Sequence, residues 1–332
     1  MKKDNQFSYK IKKDSETGWS VVTLQYEDKK EPSQNKSIKI CPEAGANLFS
    51  FKIGEYEILH QPSSVKDLMS VYFGVPVLYP TPNRVRDCKY SFMEKEIRQI
   101  KNGKERYIHG LVYDEPWEFE EPVVDKSCIK LKTHISITKD HRLFSSYPFE
   151  NTIRLNFVLS KDKIRFEYEV ENQGKGPLPY GFGLHPWFKT FGERKDNVIE
   201  AGVNKTFEAI NLLPTGKLLD VKGTPRDIRK PTSIENLDLD YVYFGVNTKT
   251  KVSFLYKSID LQVSLKASED FTHLIVYTPI KKNYFCIENQ TCSTDAHNMY
   301  AKGYKDIAHL LIVKPRKKMN GWIEFIPKWI NK

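Results

Sequence analysis

The chain has 332 residues, 39% hydrophobic and 28% charged, with 18 tyrosines and 19 phenylalanines: the composition of a globular protein rich in strand-forming aromatics. Its 52 basic and 42 acidic residues give a formal charge of +10, but the two signs are interspersed; no basic helix, RNP-like aromatic pair or zinc spacing points to a nucleic-acid partner. Five widely spaced cysteines without a CxxC pair, and no apolar run near ~18 residues, argue against a disulfide framework, a metal knuckle and a membrane-spanning helix.

In chain order, residues 1–6 are polar and carry no apolar signal core. With cysteines 41, 88, 128, 286 and 292 read as free thiols, a cytoplasmic protein with no membrane partner is expected. Lysine-rich segments at 27–37 and 216–235 read as long surface loops, and only 64–69 offers a short helix. From 129 to 137 every second residue, Ile129, Leu131, Thr133, Ile135 and Ile137, shares one face. The alternation recurs at Ile153, Leu155, Phe157 and Leu159, then at Ile164, Phe166, Tyr168 and Val170, and again at Ile259, Leu261, Val263 and Leu265. Side chains alternate across a strand with period two, so these are half-buried antiparallel strands. No strand–helix–strand rhythm supports a doubly wound nucleotide fold. No linker, composition break or repeat divides the chain. The expected fold class is all-β: one large antiparallel β-sandwich domain over 1–332, two sheets face to face, with few short helices.

Six segments break the alternation by placing polar, ionisable residues among aromatics, prolines and glycines. They are Gly74-Val-Pro-Val-Leu-Tyr-Pro-Thr-Pro-Asn-Arg84, Ile108-His-Gly-Leu111 with Trp117 following, and Gly181-Phe-Gly-Leu-His-Pro-Trp-Phe188. The others are Leu213-Pro-Thr-Gly216, Leu237-Asp-Leu-Asp-Tyr-Val-Tyr-Phe244 and Phe285-Cys-Ile-Glu-Asn-Gln-Thr291. Taken in this order, over about residues 40 to 325, they resemble the aldose 1-epimerase (galactose mutarotase) family.

That resemblance implies a galactose mutarotase-like supersandwich and an isomerase working without cofactor or metal. Its partner would be a small monosaccharide, a free aldohexose whose α and β anomers it interconverts; it leaves the oligomeric state open. The chemistry needs a base for the anomeric hydroxyl and an acid for the ring oxygen, each contributing typically about 10²–10⁴-fold. By family match, Glu288 is the expected base and His185 the acid, on opposite sides of the hemiacetal. His109 would touch the ring oxygen or a neighbouring hydroxyl. Asn83 and Arg84 would hold hydroxyls, and Asp240 would accept from them, with Asp238 an alternative on the same strand face.

Each has a structural alternative: a hydrogen-bonded strand-end acid for Glu288, a core histidine for His185, a turn histidine for His109, and an Arg84–Asp87 pair. Trp117, Trp187 and Phe188 are candidates for stacking on a pyranose or for the core. Pro76, Pro80 and Pro82 would stiffen the segment aiming Asn83 and Arg84. The chain departs from the family at Cys88, in place of a turn glycine. Asn289 replaces a proline, which would loosen a loop after Glu288, and Val313-Lys-Pro-Arg316 replaces a Pro-Gly-acid turn. Two other functions fit the same scaffold: a non-catalytic carbohydrate-binding or sensing module, and a glycoside hydrolase or lyase, which needs a second flanking carboxylate.

Overall fold

The alternating segments at the middle of the chain pair with one another. Cys128–Ile137, Asn151–Ser160 and Ile164–Asn172 run antiparallel, with Ile129 opposite Leu159 and Leu155 opposite Tyr168. Every expected inward residue from Ile129 to Val170 is buried. Thr133, polar among them, donates its hydroxyl to the Leu155 carbonyl at 2.7 Å, so its burial leaves no unmet group. The computed structural model describes residues 6–331; most of the polar segment at 1–6 lies outside the described residues.

This ladder belongs to a ten-stranded sheet that continues through Lys318–Trp329, Leu261–Ala267, Val252–Tyr256 and Asn197–Ala201. Facing it is an eight-stranded sheet whose central members are Asp240–Phe244, His273–Tyr277 and Tyr284–Gln290. Phe254 and Phe325 of the first meet Phe188 and Phe285 of the second at ring-centroid distances of 4.4 to 5.5 Å. Such tilted and edge-on contacts add to the burial of large apolar area. A third, five-stranded sheet is formed by residues 7–57. The all-β antiparallel sandwich is therefore as expected, with a further sheet beside the facing pair.

Several local expectations change. The loop expected over 216–235 starts later, because Leu213–Asp220 is an edge strand paired with Lys205–Ile210 through a bulge, a position where Pro214 needs no partner for its missing N–H. Ile259 sits in a 3-10 turn, and its strand begins at Leu261 after Asp260 adopts a left-handed conformation. The short helix expected at 64–69 is present as a 3-10 helix, Val65–Met69, capped by Ser64. Two short helices, Ala296–Ala301 and Lys305–Ala308, had no periodic signal. Cys88 keeps a left-handed φ of 54°, so the turn survives the loss of glycine. Asn289 loosens no loop, because the Tyr284–Gln290 strand runs through it and pairs it with Leu274. No helix among the described residues is long and apolar enough to cross a membrane.

Candidate active site

The Tyr284–Gln290 strand is buried along almost its whole length, and its two faces have different employment. Phe285 and Ile287 point into the hydrophobic core, while Cys286, Glu288 and Gln290 share the opposite face. Glu288 thus lies within a strand, not at its end. The segment carrying His185 is pressed against this strand: Gly183 opposes Gln290, and a Cβ on Gly183 would come within 2.8 Å of the Gln290 Cγ. Glycine is needed there for the close approach. His185 N–H donates to the Pro76 carbonyl at 3.0 Å, which ties the proline-rich segment to the same place.

The two other polar segments are held side by side. His109 N–H donates to the Asn83 carbonyl, and Val85 N–H to that of Tyr107. Asn83 and His109 both adopt left-handed backbone, φ 59° and 65°, which is uncommon outside glycine and concentrates at functional positions. Gly110 follows at φ 71°, where a Cβ would stand 2.3 Å from the Tyr79 carbonyl oxygen.

These elements bring Glu288, His185, His109, Arg84, Asn83 and Asp240 into the wall of one cavity of about 230 Å³. The Glu288 carboxyl and the His185 imidazole, expected on opposite sides of the hemiacetal, instead touch, Oε1 to Nε2 at 3.3 Å. The Gln290 amide donates to the other Glu288 oxygen at 2.9 Å. His185 is stacked on Trp187 (4.6 Å, 9°) and meets His109 edge-on at 4.9 Å. Trp187 is itself fixed by an indole N–H bond to the Val71 carbonyl. Arg84 donates to Asn83 Oδ1 at 3.1 Å and pairs with Asp240 at 3.7 Å, rather than with Asp87. Asp240 lines this cavity; Asp238 lines only the neighbouring one.

Of the three aromatic candidates, only Trp187 reaches the cavity. Trp117 is a core residue whose indole donates to the Val112 carbonyl, and Phe188 lies in the aromatic core between the sheets. Tyr277 and Tyr72 also line the cavity without belonging to any motif. Gln290 had a signal in sequence, since it stands two residues from Glu288 and therefore on its face.

Burial dominates the electrostatics. It drives the Glu288 carboxyl well above its ordinary range; the Gln290 bond and Arg84 oppose this and Asp240 adds to it. It pushes His185 down to about 3. His109 is driven far down by burial, then by His185, Arg84 and Arg106. Asp240 is raised by burial against the pull of Arg84. Glu288 and His185 are thus both moved toward their uncharged forms, and one proton in the contact leaves the pair neutral. His109 and His185 each keep a buried Nδ1 with no partner among the described residues.

Cys286 lies beside the pair, and the ligand atoms of His185, Cys286 and Glu288 fall within 4.8 Å of one another. Burial raises the Cys286 thiol well above its ordinary value, with Glu288 adding to the shift.

The sequence profile described as aldose 1-epimerase matches residues 34–325. The plasmid-encoded protein LacX of Lactococcus lactis subsp. lactis is 24% identical over 221 residues, covering 63% of this chain and 70% of that protein. A galactose mutarotase-like protein from Clostridium acetobutylicum has the same fold, with TM-score 0.84, 18% identity and 98% of each chain covered. So does galactose 1-epimerase from Lactobacillus acidophilus NCFM, with TM-score 0.75, 15% identity, and 98% of this chain and 99% of that one covered.

Proposed function

We propose, from the premise that the chain belongs to the aldose 1-epimerase family, that it interconverts the α and β anomers of a free aldose. The observation that carries this reading is the Glu288–His185 contact inside a cavity also lined by His109, Arg84, Asn83 and Asp240. Glu288 is the base and His185 the acid. The resting proton lies on the carboxyl, and its transfer across the contact to the imidazole arms both groups without changing their total charge. Glu288 then takes the proton of the anomeric hydroxyl while His185 protonates the ring oxygen. The C1–O5 bond breaks and C1 becomes an aldehyde. Rotation about C1–C2 presents the other carbonyl face, and reversal of both proton transfers closes the ring to the opposite anomer. Every proton moved is carried by these two side chains, so the reaction needs no cofactor.

Holding acid, base and sugar together adds a proximity term to the acid–base one. Arg84 and Asn83 offer several donors in fixed planes, Asp240 offers acceptors, and the His109 ring provides a polar atom without a charge. We read residues 1–332 as one catalytic unit, supported by a single hydrophobic cluster that runs from Phe7 to Trp329. The five unpaired cysteines suit a reducing cytoplasm. Polarimetry of freshly dissolved α-D-glucose and α-D-galactose tests the activity: the approach to equilibrium accelerates with protein concentration. Equilibration no faster than in buffer, across several aldoses, overturns it, and saturable sugar binding without turnover would assign the cavity to a binding module instead.

A further inference from the structure

The face of Tyr284–Gln290 that carries Glu288 also carries Cys286, two residues back along the strand. In the neighbouring segment Gly183 opposes Gln290 and Trp187 opposes Cys286, so His185 lies level with Glu288. A nitrogen, a sulfur and an oxygen, all on buried side chains, thus fall within 4.8 Å of one another. Among the described residues no other three His, Cys, Asp or Glu side chains meet in this way. The acid–base reaction above employs Glu288 and His185 and gives the thiol no role.

Two properties say which ion the cluster fits. Charge is the first. A lone thiolate or carboxylate is costly in a buried place, but a dication set between one of each is neutral overall. Donor type is the second. Magnesium and calcium take shells of six or more oxygens, whereas this cluster frees one carboxylate oxygen, the other being held by the Gln290 amide at 2.9 Å. Imidazole, thiolate and carboxylate together are donors for zinc and its softer congener cadmium. Bonds of about 2.0–2.3 Å to a tetrahedral zinc set donor atoms roughly 3.3–3.6 Å apart. Glu288 Oε1 and His185 Nε2 already stand at 3.3 Å, and a turn of the Cys286 side chain brings in the sulfur. The Gln290 bond fixes the carboxylate, as supporting contacts of metal ligands generally do. Glu288 and His185 line the cavity, so the ion has a way in and its fourth position faces that space.

We infer that His185, Cys286 and Glu288 form an inhibitory site for a zinc-like divalent cation. The ion takes the place of the thiol proton and of the proton shared by Glu288 and His185, and both protons pass to solvent. With base and acid engaged as ligands, neither can transfer a proton, and ring opening stops until the ion is removed. Binding rests on the geometry alone; inhibition rests on the isomerase reading above.

The test starts from the full chain stripped with EDTA, dialysed and titrated with Zn²⁺ or Cd²⁺ beside Cys286→Ser and Cys286→Ala. Wild type binds a single equivalent of either ion in calorimetry. Cd²⁺ gives a thiolate charge-transfer band in the ultraviolet, which Zn²⁺ displaces. Saturating Zn²⁺ lowers the mutarotation of α-D-glucose by about 10²-fold or more, as for loss of the acid–base pair, and EDTA restores it. Cys286 is not part of the cavity wall, so both variants keep their metal-free turnover. They lose the band and bind Zn²⁺ more weakly by at least the roughly 10–100-fold that a missing supporting group costs. If neither variant folds, Glu288→Gln shows the weakened binding in calorimetry. No binding, a band that survives loss of Cys286, or bound Zn²⁺ with undiminished turnover overturns the inference and leaves the isomerase standing. Stripped protein that turns over no aldose overturns the isomerase instead, while calorimetry and the band still decide the site.

Discussion

Glu288 sits where water would normally solvate a carboxylate and does not: its side chain is 3% exposed and bonded to Gln290 and His185. Glu288→Gln keeps the volume and can still accept from Gln290, so melting is expected to stay near wild type. The proposed base is gone, and turnover should fall by about 10²–10⁴-fold. Circular dichroism and polarimetry on the same sample check both halves. The same contact fixes the pH profile. On the proposed mechanism the pair works with one proton and fails with two or none. His185 takes a second proton only as the pH falls toward about 3, and Glu288, held well above its usual range, gives up the last one late. We therefore expect kcat/KM to stay level through neutrality, drop in strong acid and fall again on the alkaline side, with apparent values that belong to the pair. A limb centred near the ordinary histidine value of about 6.5 would contradict this.

At the level of elements, the site depends on segments squeezed together at glycines. Gly110→Ala forces a Cβ onto the Tyr79 carbonyl at a left-handed φ, and should cost about 1–3 kcal/mol in urea unfolding, the usual penalty for overpacking. Because His109 is the preceding residue, KM should rise as well. Leu155→Ala, in the middle of the ten-stranded sheet, should cost about 2–5 kcal/mol and leave the kinetics of the folded enzyme unchanged. The strands around Leu155 were legible in sequence because one face of each is buried and the other wet. Tyr284–Gln290 was legible only as a strand-like run ending at Ile287, since burial on both sides erases the alternation that would have carried it on to Gln290. Leu213–Asp220 carries prolyl and glycyl residues that look like punctuation, yet an edge strand tolerates them. The six polar site residues were legible through resemblance to family motifs. Their contacts were not: nothing along the chain says that Glu288 meets His185, or that Arg84 chooses Asp240 over Asp87. The neighbouring cavity was equally hidden, because its walls come from separate parts of the sequence.

For the molecule as a whole, the formal charge of +10 belongs to its surface rather than to its site. The cavities carry near-balanced charge, and the proposed substrate is neutral, so long-range steering has nothing to act on. Raising salt from about 0.01 M to about 1 M shortens the Debye length from about 30 Å to about 3 Å and should change kcat/KM by less than about twofold. A steep decline with salt would mean that the substrate is an anion after all.

Because one strand serves the greasy interior with its odd-numbered side chains and the reaction with its even-numbered ones, a single-residue insertion or deletion upstream within it would turn the acid inward and the phenyl ring toward the sugar. The reacting group can therefore not drift stepwise along its own scaffold.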